Sequence, residues 1–277
     1  MERKETIKKI LCTVFSFLLS VMLFVTTVVA VLQQTLLDRD YFADMVEKSG
    51  YVDLLHEQLV GELANEGYVS GFDEVFFEQI ITTDMVKAPV LSAVDEIYGT
   101  GDYKSVSKEQ LAETLSKAFV DNLESREVEV DEEQKKHIDG FAYECADFLS
   151  KNARLPFISI GESLVKNSTS LVKYALVFVG IFALFCVVFL AFTSPKSEGV
   201  LRYYSYSFGG ATLMTATPVI VLMATGIFKK ISIADKALYY LVQTVADNLL
   251  NTVLFVAIVF AVIWIFTALV TVLKQKQ

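Results

Sequence analysis

Four runs of this chain carry no charged side chain: Ile10–Leu37, Tyr174–Pro195, Tyr203–Phe228 and Asn248–Leu273. No other feature narrows the possible folds as much. A helix needs about 20 mostly apolar residues to cross a hydrocarbon core of about 30 Å, and each run is long enough. Backbone N–H and C=O groups in lipid have no water to bond, and a helix satisfies them within one segment. The expectation is four transmembrane helices, at 10–32, 172–194, 203–228 and 250–273. The chain is 53% hydrophobic with mean hydropathy +0.47. Soluble chains are usually about 45–50% apolar, and here the excess is gathered in the four runs.

Charge is distributed as unevenly as hydropathy. The stretch Gln33–Leu171 holds 12 Lys and Arg against 28 Asp and Glu, a net of −16. The remainder holds 12 against 5, a net of +7, within a total of −9. The acidity therefore belongs to one segment of domain size between the first two runs. Such a surface repels nucleic acid and anionic headgroups. It suits cationic partners, divalent ions or plain solvation.

The basic residues set the expected orientation. Arg3, Lys4, Lys8 and Lys9 precede the first run, Lys196 and Arg202 lie in the short loop 195–202, and Lys274 and Lys276 end the chain. Short cytoplasmic segments are enriched in Lys and Arg, whereas long segments translocate largely regardless of charge. The expectation is a multi-pass protein of the cell membrane with both termini (1–9 and 274–277) cytoplasmic. Residues 33–171 and the connection 229–249 then lie outside. A basic start before an apolar run also resembles a secretory signal, with Val28-Val29-Ala30 as its cleavage site. A signal core is about 7–15 residues, however, and this run goes on to Leu37, so the first span is read as uncleaved.

Within the acidic segment the periodicity is helical. Asp38 is placed to cap a helix ending near Ser49, with Gly50 as its stop. Val52, Leu55, Leu59 and Leu63 form one stripe, and Phe72, Val75, Phe76 and Ile80 form another. Thr83-Asp84 opens a segment ending near Tyr98, with a kink expected at Pro89. Gly99–Asp102 reads as a turn. Ser107 with Gln110 makes a capping box ahead of Leu111, Leu115, Ala118 and Phe119. Asp131 caps Glu132–Lys151, whose stripe is Ile138, Phe141, Cys145, Phe148 and Leu149. After Pro156, Glu162–Lys173 runs into the second span. The fold class is all-α: four transmembrane helices with a large extracytoplasmic helical bundle, of roughly five to seven short helices, between the first two.

The third span is rich in small and hydroxylated residues, and Ser205 with Gly209 fits the small-xxx-small spacing of close helix packing. Ionisable residues inside a membrane mark ion or substrate pathways, and these spans have none at their centres. The connection Ile231–Leu249 is amphipathic, with Ser232 and Asp235 placed to cap a helix on the membrane surface or under the acidic domain.

Chemical motifs are sparse. Asp38, Asp40 and Asp44, beside Glu47, are weak candidates for a cation site. The register lacks the ligand spacing of an EF-hand loop, with Phe42 at a ligand position. His56-Glu57 opens like a zinc-protease motif, but Val60 stands at the second histidine. His137 lies far from it in a charged, exposed stretch. Gly99-Thr100-Gly101 lacks the lysine and further glycine of a phosphate loop. Asn167-Ser168-Thr169 matches the glycosylation sequon. Cys145 has no cysteine partner in the acidic segment, which must be held by its core. No catalytic residue, cofactor or nucleic-acid partner is implied.

The functional expectation is a non-enzymatic sensing or partner-binding membrane protein. It would act through its outer helical domain on another membrane or envelope protein. The topology also resembles that of ABC transporter permeases of the FtsX and MacB kind, which place a large outer domain between the first two spans. That resemblance implies a transporter component. The inner loop Lys196–Arg202 is short for an extensive ATPase contact.

Overall fold

The computed structural model describes residues 2–67, 72, 74–101, 107–195 and 199–275, and among them it is all helical, with no strand. Asp102 of the expected turn, Lys196 of the short loop, and Lys276 and Gln277 of the tail lie outside the described residues. Four helices are long and apolar enough to cross a membrane: α1 (Glu2–Gln34), α8 (Ile158–Thr193), α9 (Val200–Thr225) and α10 (Lys236–Gln275). A short 3-10 helix, Ile227–Lys230, follows α9. The chain divides into two compact units. One comprises Met1–Asp38, Asn167–Ser232 and Gln243–Gln277; the other comprises Arg39–Lys166 and Ile233–Val242.

In the first unit α1 and α9 are the most closely paired helices. Serines draw them together. Ser16 Oγ lies 2.7 Å from the Tyr203 carbonyl oxygen and 3.0 Å from Ser207 Oγ, and Ser20 Oγ donates to the Ser207 carbonyl at 2.9 Å. All three serines are buried. Interhelical hydroxyl bonds of this kind stabilise packing where the hydrophobic effect between helices is absent. A Cβ at Gly210 would come within 2.5 Å of Ser20 Oγ, and one at Gly209 within 2.9 Å of Trp264 Nε1. Glycine is therefore required at both places by proximity, to α1 on one side and to α10 on the other. The α8 helix joins through Phe189, stacked on Phe15 at 3.9 Å between ring centroids, and through the bond from Tyr204 Oη to the Val187 carbonyl. Cys12, Leu19, Cys186, Leu190 and Tyr203 form the core.

The second unit holds α2 (Arg39–Lys48), α3 (Tyr51–Gly67), α4 (Glu74–Ile80), α5 (Thr83–Tyr98), α6 (Lys108–Ser125) and α7 (Glu132–Asn152). The first turns of α8 and of α10 complete it. Its boundaries follow the local chemistry. Gly50, at φ +68, reverses the chain between α2 and α3, a left-handed conformation that suits glycine. The Ser107 capping box forms, and the Asp131 cap proves to be a box as well. Ser107 Oγ accepts from Gln110 N at 3.2 Å, and Asp131 Oδ1 accepts from Gln134 N at 2.7 Å. The α5 helix continues through Pro89.

The stripes lie close to their expected positions, with shifts of phase. On α3, Val52, Leu55, Leu59 and Leu63 are buried as expected. On α4, Phe76 is buried as expected and Val75 is exposed, while Phe77 and, just beyond the helix, Ile81 are buried, so the apolar face is turned by about one residue. On α7 the buried line is Ala142, Cys145, Ala146 and Leu149, and Phe141 and Phe148 flank it half-buried. Ala142 and Ala146 are fully buried along this line, and the bulky rings lie at its margins. There Phe141 joins Phe72, Phe76, Phe77 and Phe119 in a ring cluster.

The region expected as a separate amphipathic connection is divided differently. Its first residues follow the 3-10 helix, and from Lys236 onward it is the beginning of α10. Asp235 caps that helix, its Oδ1 accepting from Leu238 N at 2.9 Å. Ala237 and Leu241 are buried in the second unit.

Candidate functional site

The α6–α7 hairpin is the most closely packed pair in the second unit, and one side of it holds a groove of about 450 Å³. The two helices run antiparallel. Across their contact Lys108 Nζ meets Asp147 Oδ1 at 2.5 Å near one end, and the Ser116 hydroxyl donates to the Asp139 carboxylate near the middle. The Asp147 carboxylate also takes Lys151 at 2.5 Å, and Lys108 Nζ lies 4.0 Å over the Tyr143 ring. These contacts shift the titration of the pair. The Lys108 ammonium, and then Lys151, hold Asp147 below the usual carboxylate range, while the Asp147 bond raises Lys108.

Ala112 and Val120 give the groove an apolar floor, and Glu113, Lys117, Asp121, Lys135, Asp139 and Tyr143 give it a rim of both charge signs. The opposite side of the hairpin holds a smaller cavity of about 160 Å³, lined by Phe72, Phe119, His137, Ile138 and Phe141.

The expected cation candidates do not form one cluster. Asp40 pairs with Arg39 at 3.0 Å, Asp44 with Lys48 at 2.6 Å and Glu47 with Lys87 at 2.5 Å, and Asp38 has a partner of its own. Among the described residues no group of three or more His, Cys, Asp and Glu is placed to hold a metal ion. His56 serves the fold instead. Its Nε2 lies 2.5 Å from the Ile81 carbonyl, to which the ring N–H donates at the α4–α5 junction. His137 is exposed, and Asn167 stands exposed on α8.

Gly99-Thr100-Gly101 also proves to be a structural device. Gly99, at φ +67, ends α5, and Thr100 Oγ1 donates to Asp95 Oδ1 at 3.0 Å. The same oxygen accepts from Arg39 Nε at 2.8 Å, which ties the start of α2 to the end of α5. Asp95 is buried, and its Oδ2 accepts no hydrogen bond among the described residues. Sequence reasoning passed over Asp95 because it sits in an apolar stretch without a motif. It also passed over Ser16, Ser20 and the groove. A small-xxx-small spacing at Ser16 and Ser20 was the available signal for the serines.

Comparison with protein-family models, with curated proteins and with solved structures found no match to this chain. The class that the fold defines is a helical multi-pass membrane protein with a separate helical unit.

Proposed function

We propose that this chain is a non-enzymatic membrane protein whose acidic helical unit, outside the cytoplasm, senses or binds another membrane or envelope protein. The observation that carries the reading is the mixed-charge groove along α6 and α7. A protein surface with charges of both signs is complemented by another protein surface more readily than by a uniformly charged polymer, because complementary charge fixes orientation and rejects mismatched partners. The unit's net acidity disfavours anionic polymers and headgroups.

The test is site-specific photo-crosslinking of the full chain in its native membrane. A photoreactive side chain at Lys117, on the rim, is expected to capture a distinct membrane or envelope protein. The same group at the exposed Glu57 on α3 is expected to capture none. Equal labelling from both positions, or none from either, contradicts the proposal. Recovery of an ATPase would instead support the transporter reading suggested by the topology.

A further inference from the structure

A row of exposed apolar residues runs along one side of α8 with an unbroken alternation of three and four. It starts at Phe157, just before the helix, and passes through Ile160, Leu164, Leu171, Tyr174 and Phe178, keeping the same spacing as far as Phe192. Asn167 occupies the remaining position of the row. This is the a/d pattern of a helix that packs against another helix. Every apolar residue named here is more than half exposed.

Lipid covers only part of it. The uncharged run Tyr174–Pro195 fills a hydrocarbon core by itself at about 1.5 Å per residue. Phe157 to Leu171 precede that run, on a part of α8 that also carries Glu162, Lys166 and Lys173. The contrast with α10 is informative. Its exposed Phe255, Val262 and Leu269 lie wholly within an uncharged run, where acyl chains suffice.

We propose that a second copy of this chain covers the row, the two α8 helices pairing in parallel about a two-fold axis. Two copies inserted in the same orientation bring identical positions together, so the pairing must tolerate self-contact. The charges allow it. In the a/d register Glu162, Lys166 and Lys173 fall at positions facing away from the seam. The flanking positions that meet across a parallel pair carry Ser163, Ser168, Ser170 and Ala175, which are small and uncharged. Like charges therefore do not oppose one another, and the backbones can approach. The proposal does not depend on what the α6–α7 groove binds.

The test is oxidative cross-linking of the full chain in sealed membranes, with one cysteine introduced at a time along α8. The unmodified chain, whose three cysteines are buried, sets the background. Covalent dimer is expected from Ile160→Cys, Leu164→Cys and Leu171→Cys, with background yield from Glu162→Cys, Lys166→Cys and Thr169→Cys. Adding Leu164→Glu to the Ile160→Cys chain is expected to reduce its dimer to background while the helical circular dichroism is unchanged. A flat pattern, or maxima at 162, 166 and 169, would overturn the proposal. Background yield throughout, as for a monomer whose row lies in lipid, would overturn it as well.

Discussion

At the scale of single residues, the phase of α7 shows what periodicity can and cannot resolve. Reading apolar residues at helical spacing places Phe148 within the buried stripe. In the fold Leu149 is 1% exposed and Phe148 is only half-buried. The alanines at 142 and 146 are weak hydrophobic signals, yet both are fully buried. A stripe read from its largest residues is therefore pulled off centre. The consequence is measurable by thermal unfolding of the full chain in lipid nanodiscs. Truncating a well-buried leucine costs about 2–5 kcal/mol, so Leu149→Ala is expected to lower the melting temperature clearly. Phe148→Ala should lower it less, and Lys135→Ala on the exposed rim should stay within about 0.5 kcal/mol of the parent. A larger loss for Phe148→Ala than for Leu149→Ala would return the stripe to its sequence-based phase.

At the scale of elements, local signals with a stereochemical mechanism were the legible ones. The Ser107 box, the Asp131 cap and the Gly50 reversal need only a few neighbouring residues, and each forms as expected. Contacts between distant segments were not legible. The Arg39–Asp95 pair and the burial of Ala237 and Leu241 in the second unit join residues far apart in sequence, with no motif to announce them. The merging of the connection into α10 has a similar origin. No proline or glycine lies between Lys236 and Gln275, so nothing stops the helix. The α6–α7 pairing yields a prediction in pH. Asp147 is held below its ordinary value of 3.8 by Lys108 and Lys151. A depressed carboxylate contributes stability above its unfolded value and loses it as pH falls through the folded one. The contribution is therefore constant at neutral pH and disappears below about pH 3.8. Asp147→Asn should destabilise the protein at pH 7 and bring it closer to the parent in strong acid, read as melting temperature against pH. A deficit in the variant that is the same at both pH values would contradict the assignment.

At the scale of the whole molecule, the four membrane helices were legible because lipid imposes one solution on every long uncharged run. Which of them pair was not, since small residues are common in all such helices. Ser205 and Gly209 drew notice, and Gly209 does lie against Trp264 of α10, whereas the contact between α1 and α9 uses Ser16, Ser20, Ser207 and Gly210. The proposed placement of the acidic unit outside the cytoplasm rests on the clustering of Lys and Arg in the short segments, and the proposed function rests on that placement. The most direct measurement compares a reporter fused after Gln277 with an epitope inserted in the turn at Gly101. With four spans, an epitope in intact cells should be reached by antibody at Gly101, and the Gln277 reporter should be active only in the cytoplasm. Both sites found on the same side of the membrane, or the reverse arrangement, would contradict the account.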